Sequence, residues 1–200
     1  MSMNVNMDNY LSVSWEELVV YLRSIANKIQ TLEEKPDIIV GIARGGLSIA
    51  HILSDMLNLP VASFTVSSYK DVNERGELNF HFNLGGRLDG KHVLVVDDVS
   101  DTGTTFIRAT EYVTSLGARK VTTASVFIKP ASVFAPDISA CVTSAWIIFP
   151  FDRLENMRKC ARAWRRKYGV SDEEISGCWE ALNIPQMYQD MFWEKDVTEK

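Results

Sequence analysis

Four consecutive apolar residues, Val93-Leu94-Val95-Val96, run into two adjacent carboxylates, Asp97 and Asp98, and then into Val99-Ser100-Asp101-Thr102-Gly103-Thr104-Thr105. An uninterrupted apolar run of this length reads as a strand covered on both faces. Two acids can follow such a strand only where it leaves the core. The loop from Val99 to Gly103 opens a helix that runs to Leu116, with Gly117 as its stop signal. Strand, loop and helix in this order are the crossover unit that parallel strands require. The segment therefore predicts an α/β chain with a mainly parallel sheet.

The rest of the chain repeats the alternation. Ser14 and Glu17 have capping-box spacing, and Trp15, Leu18, Val19, Leu22, Ile25, Ala26 and Ile29 follow at helical period, up to Pro36. Ile38 to Ile42 reads as a buried strand, Ala43-Arg44-Gly45-Gly46 as a glycine-rich turn, and Leu47 to Leu57 as a helix ended before Pro60. Val61 to Val66, Val121 to Ile128 and Cys141 to Ile148 read as further strands. The expected fold is a twisted, mainly parallel sheet with helices on both faces. Ligands in such folds bind beyond the carboxyl ends of the strands, near which Arg44, Asp97, Asp98 and Trp146 fall.

Two stretches depart from the alternation. Residues 67–90 are polar, with alternation around Leu78, Phe80 and Phe82, and predict a small flexible flap; a connection this long usually serves function. After Pro150 the chain becomes basic and helical through Arg153, Arg158, Lys159, Arg162, Arg165, Arg166 and Lys167. Ser171 with Glu174 opens another helix, and Pro185 a last one. The expected organisation is one domain over residues 1–152, with the flap at about 67–90, and a helical extension over 153–200 packed on it.

Several classes of function are excluded or weakened. The net charge of -5 argues against general nucleic-acid coating. The apolar stretch around Ala140 to Phe151, broken by Pro150, is shorter than the roughly 20 residues a bilayer span needs. Three scattered cysteines, Cys141, Cys160 and Cys178, make no disulfide framework and suit a reducing, cytoplasmic setting. The three histidines have no zinc-ligand spacing. Neither Gly-Lys-Ser/Thr nor G-x-G-x-x-G is present.

The Asp97–Thr105 segment has its own chemistry. The N–H groups and dipole of a helix start attract phosphate, and the hydroxyls of Ser100, Thr102, Thr104 and Thr105 add donors. Asp97 and Asp98 repel phosphate but suit sugar hydroxyls or Mg²⁺. Phosphate, sugar hydroxyls and metal together describe a phosphorylated sugar.

VLVVDDVSDTGTT, Val93 to Thr105, resembles the phosphoribosyl-pyrophosphate (PRPP) motif of type I phosphoribosyltransferases. IARGGL (Ile42 to Leu47) resembles that family's pyrophosphate loop, and SSYKDVNERGEL (Ser67 to Leu78) the hood of its xanthine-guanine subgroup. Lys129-Pro130 and AWIIFPFD (Ala145 to Asp152) resemble the subgroup's purine pocket. The likeness covers about Ser14 to Asp152.

The resemblance implies roles position by position. Ser100, Asp101, Thr102, Gly103, Thr104 and Thr105 would cradle the 5′-phosphate, and Asp97 and Asp98 the ribose hydroxyls. Asp101 would also be the catalytic base for the purine nitrogen. Arg44 and Gly45 would face pyrophosphate, often through a cis peptide. Ser67, Ser68 and Tyr69 would close over the reacting centre. Lys129 would bind the 6-oxo group, Trp146 would stack on the purine, and the Ile147 backbone would read its edge. Asp98 and Asp152 would neighbour Mg²⁺, the implied cofactor. The implied function is transfer of 5-phosphoribosyl from PRPP to guanine, xanthine or hypoxanthine in purine salvage, by a homo-oligomer, dimer or tetramer. Ile148 and Phe151 depart from the subgroup's pattern beside the base pocket, which leaves the preferred base open. Two alternatives stay open: a non-catalytic PRPP- or nucleotide-sensing regulator whose basic run binds nucleic acid, and a transferase for another acceptor base.

Overall fold

The computed structural model of the chain describes residues 5–66, 80–82 and 84–196. The chain divides into two compact units. One is Leu18–Thr143, and the other is formed by the two chain ends, up to Glu17 and from Ser144 onward.

A short strand, β1 (Tyr10–Ser12), precedes helix α1 (Trp15–Gln30). The predicted capping box is present: the Glu17 N–H donates to Ser14 Oγ at 3.1 Å and the Ser14 N–H to Glu17 Oε2 at 2.8 Å. The helix buries Leu18, Leu22, Ile25, Ala26 and Ile29. Trp15 and Val19, grouped with them by spacing, are exposed.

The Leu18–Thr143 unit is built on a six-stranded sheet. Its strands are β2 (Ile38–Ala43), β3 (Val61–Val66), β4 (Phe80–Phe82), β5 (His92–Ser100), β6 (Lys120–Ile128) and β7 (Ile138–Val142), in the order β4-β3-β2-β5-β6-β7. All pairs are parallel except β3 with β4. Helices α2 (Gly45–Leu57) and α3 (Thr104–Ser115) make the crossovers β2 to β3 and β5 to β6. Val40, Ile42, Val93 and Val95 share one cluster with Phe106, Ala109 and Val113 of α3. The alternate residues point to the opposite face. There α2 comes so close that a Cβ on Gly41 would stand 2.8 Å from that of Ala50. Covering on both faces is why these strands are apolar without a break. The chain leaves β2 towards β3 but leaves β5 towards β6, so the strand order reverses between neighbours β2 and β5.

The unit of the two ends pairs β1 in parallel with β8 (Trp146–Ile148), and adds α4 (Arg153–Tyr168), α5 (Asp172–Ala181) and α6 (Gln186–Asp196). Its core contains Val5, Ile148, Met157, Cys160, Trp164, Ile175, Cys178, Trp179 and Phe192. Trp164 and Trp179 have ring centroids 4.6 Å apart, and the Trp164 indole N–H donates to the Tyr10 hydroxyl at 2.6 Å. The Ser171–Glu174 capping box opens α5 as expected.

Three boundaries differ from the sequence expectation. The strand ending at Asp97-Asp98 continues to Ser100, because β6 stays paired with it as far as Ser100↔Ile128. Helix α2 begins two residues early, at Gly45. The single strand expected over 141–148 is two, β7 and β8, in different sheets. The apolar run has no breaker between Cys141 and Ile148, and hydropathy does not say which neighbour each half will pair with.

Candidate active site

The point where strand order reverses is where an open α/β sheet leaves a crevice for ligands. Helix α2 starts there beyond β2, and α3 beyond the neighbouring β5. Neither N-cap residue, Arg44 or Gly103, caps its helix with a side chain; the Asp97 carboxyl accepts from the Gly46 N–H of α2, and the Thr104 N–H of α3 lies 3.5 Å from Thr102 Oγ1. The first N–H groups of a helix lack intrahelical partners, and its dipole puts partial positive charge at the same place. Two helix starts of a kind suited to anions therefore stand beside the ends of neighbouring strands.

Asp97 and Asp98 occupy that edge. The Asp98 N–H donates to Asp97 Oδ1 at 2.9 Å, and the Val99 N–H to Asp98 Oδ1 at 2.8 Å. Burial first, and the Asp98 charge second, push the Asp97 carboxyl well above the usual range. The β2–α2 turn lies directly against them: a Cβ on Gly45 would collide with the Asp98 carboxylate. Only glycine permits this approach. The Ala43–Arg44 peptide bond is cis, the geometry the resemblance implies for this loop.

After β5, Asp101 and Thr102 are exposed, and the Thr102 and Thr104 hydroxyls share a hydrogen bond of 2.9 Å. Gly103 takes φ 85°, the left-handed region that favours glycine, and a Cβ there would stand 2.6 Å from the Phe134 nitrogen. Ser100 is buried, and its Oγ donates to the Phe134 carbonyl at 2.9 Å and lies 2.9 Å from Ser132 Oγ. Its hydroxyl braces the loop from behind. Ser132 and Phe134 went unnoticed in the sequence, since nothing local marks a turn thirty residues downstream as the backing of this loop. The Lys129 N–H donates to the Ser100 carbonyl at 3.0 Å, which sets Lys129 level with the end of β5. Burial lowers the Lys129 ammonium, and Asp101 opposes that shift. Arg44, Gly45, Asp97, Asp98, the loop from Ser100 to Thr105 and Lys129 thus gather along one edge of the sheet.

The remaining candidates lie in the unit of the chain ends. Trp146, 47% exposed at the start of β8, donates its indole N–H to Asn156 Oδ1 at 2.9 Å. Ile147 is buried, and β8 pairs it with Leu11. Asp152 precedes α4 without capping it. Burial pushes its carboxyl up, partly offset by the Asn156 side chain, and its Oδ1 is buried with no hydrogen-bond partner. Nothing local in the sequence marks Asn156 as the partner of Trp146 and Asp152. Ser67, Ser68 and Tyr69 lie outside the described residues; β4, which returns antiparallel to β3, is part of the expected flap.

The donors fit Mg²⁺. Among the described residues no three acidic, His or Cys side chains are gathered around a metal position. Mg²⁺ asks for fewer, one or two carboxylates with water and substrate phosphate. Taken each in its own unit, the acid pair with a raised Asp97 and the buried Asp152 Oδ1 that has no hydrogen-bond partner are groups that a cation would satisfy.

The phosphoribosyl transferase domain family matches residues 16–155. The chain is 36% identical over 145 residues to a xanthine-guanine phosphoribosyltransferase of Idiomarina loihiensis, covering 70% of this chain and 85% of that one. It is 31% identical over 117 residues to xanthine phosphoribosyltransferase 1 of Saccharomyces cerevisiae, covering 46% and 54%. Among solved structures, a purine phosphoribosyltransferase from Pyrococcus horikoshii superimposes with a TM-score of 0.66 at 35% identity, over 72% of this chain and 94% of that one.

Proposed function

The chain belongs to the phosphoribosyltransferase family, and on that premise we propose that it transfers 5-phosphoribosyl from PRPP to a 6-oxopurine, giving the nucleotide and pyrophosphate. The observation that carries this reading is the pair of helix starts flanking Asp97 and Asp98 at the reversal of strand order. One site for each phosphate group with an acid pair between them matches a sugar phosphorylated at both ends.

In this reaction the bond from the anomeric carbon to pyrophosphate breaks, and one from that carbon to a purine nitrogen forms. The α3 start and its loop, Asp101 to Thr105, hold the 5′-phosphate, braced by Ser100. Asp97 and Asp98 orient the ribose hydroxyls. Arg44 and the Gly45 backbone hold pyrophosphate. Asp101, exposed on the loop, takes the proton released by the purine nitrogen. Lys129 donates to the 6-oxo group, and a 6-amino purine would leave that donor unpaired, so adenine is a poor substrate. Trp146 supplies a stacking surface for the base and Ile147 a backbone edge. Ser67, Ser68 and Tyr69 belong to a hood that excludes water from the reactive centre. Asp98 and Asp152 are the carboxylates that would neighbour Mg²⁺, whose chemistry when bound would be charge neutralisation of the leaving pyrophosphate. Three free cysteines, and no described helix long and apolar enough to cross a membrane, support a cytoplasmic setting for this salvage reaction. A homo-oligomer is the assembly we assign by family likeness.

The test is turnover with PRPP and Mg²⁺ against guanine, xanthine, hypoxanthine, adenine and uracil in separate reactions. We expect a 6-oxopurine to react. Asp101→Asn should lower kcat by about 10²–10⁴-fold and leave PRPP affinity within a few-fold. Absence of turnover with every base, despite PRPP binding, would overturn the reading in favour of a ligand-sensing regulator. Full activity in the variant would remove Asp101 as the base.

A further inference from the structure

Trp146 is an exposed aromatic side chain at the start of a three-residue strand. A platform for a flat ring must hold its own orientation before the ring arrives, because ordering a side chain on binding subtracts from affinity. Strand pairing through Tyr10↔Trp146 fixes the backbone but not the plane of the indole. The contact that fixes the plane comes from α4.

Asn156 is 5% exposed, and its Oδ1 accepts the Trp146 Nε1–H at 2.9 Å. The indole nitrogen is a donor only, so the amide must turn its oxygen towards it. That choice directs Nδ2 to the other side, where the Asp152 carbonyl lies 3.4 Å away. The Asn156 N–H also donates to the same carbonyl, at 3.1 Å. One buried amide thus ties the indole to the residue that opens α4, and asparagine alone offers both an acceptor and a donor at this length. Arg153, next in the chain, anchors the same helix end: it donates to the Val13 carbonyl at 2.8 Å and lies over the Tyr188 ring at 4.9 Å.

We propose that Asn156 is a positioning residue for the acceptor base, locking the Trp146 indole in its stacking plane through the Nε1–H···Oδ1 hydrogen bond. The inference rests on the placement of Trp146 against the base in the proposed function. It assigns base affinity to a polar contact made away from the base itself. It also gives a reason for Trp at position 146, since Phe or Tyr has a ring but no N–H at that point.

Asn156→Leu and Trp146→Phe each remove one partner of this bond. Each should raise KM for the base by roughly 3–10-fold, as expected for one neutral hydrogen bond, with Trp146→Phe leaving KM for PRPP within about twofold. The double variant should be no worse than the more severe single one, because both remove the same bond. Trp146→Phe alters an exposed ring, so it remains a test even if Asn156→Leu fails to fold. The lock is overturned if Trp146→Phe leaves base KM unchanged, or if the two effects add in full. Trp146→Ala separates this from the underlying reading: base KM that rises with Ala but not with Phe sinks the lock alone. Base KM that is indifferent even to Ala removes Trp146 from the base site altogether.

Discussion

Asp97 is held in a setting that opposes its own charge. Burial and the adjacent Asp98 raise its carboxyl, so the folded chain binds a proton there at pH values where the unfolded chain has released it. The linkage slope from this group is therefore negative. Its contribution to stability is fully present below the ordinary carboxylate range and is lost as pH rises through the raised value. Asp97→Asn should raise the thermal midpoint of the ligand-free protein at neutral pH, flatten its decline with rising pH, and weaken PRPP binding. Melting curves across pH, paired with a PRPP titration, check all three; a lower midpoint at neutral pH would contradict the burial argument. The cysteines give a second prediction at this scale. Burial pushes the Cys160 thiol up to about 12 and raises Cys178 as well, while Cys141 is only half-buried. A thiol reagent at pH 8 should therefore modify Cys141 first in the native protein and all three in denaturant. The chemistry of the acids and hydroxyls between Asp97 and Thr105 is readable from residue types alone. The burial that raises Asp97 is not, since it depends on Gly45 and Gly46 arriving from another strand.

The helices differ in how they begin. Helices α1 and α5 open with a full capping box. Helices α2, α3 and α4 open with no side-chain cap from their N-cap residues, Arg44, Gly103 and Asp152, all candidate site positions. A capped start has satisfied its own donors; a bare one can offer them to an anion. Ser171→Ala removes the α5 cap, and Ser171 is not among the residues assigned to the site. It should cost about 1 kcal/mol, lower the melting midpoint by roughly 2–4 °C, and leave kcat and both KM values unchanged. Loss of activity in step with stability would mean that α5 bears on the site. The two boxes are legible in the sequence as Ser14 with Glu17 and Ser171 with Glu174. The bare starts are legible only as an absence of such spacing, and the glycines beside α2 and α3 supply the reason: close backbone approach takes precedence over capping there.

At the scale of the whole molecule, each compact unit has its own apolar cluster. In the unit of the chain ends, Trp164 is fully enclosed by Trp179 and Tyr10, residues far apart in sequence. Trp164→Ala should cost about 3–5 kcal/mol, measured as a lowered denaturation midpoint at unchanged slope. A cost below about 1 kcal/mol would mean that this cluster does not stabilise the unit. Local order along the chain determined a good deal by itself: the α/β class, the buried strands, two capping boxes, and an acid-then-hydroxyl segment whose chemistry suits a phosphorylated sugar. These follow from period, breakers and side-chain chemistry, all of which act within a few residues. Only the tertiary structure decided that residues 138–148 form two strands in different sheets, that Ser100 faces the 132–134 turn, and that Asn156 holds Trp146. Each is a pairing between distant segments. Hydrophobicity and propensity are properties of one segment at a time, so they state that a strand or an amide needs a partner without naming which one it will meet.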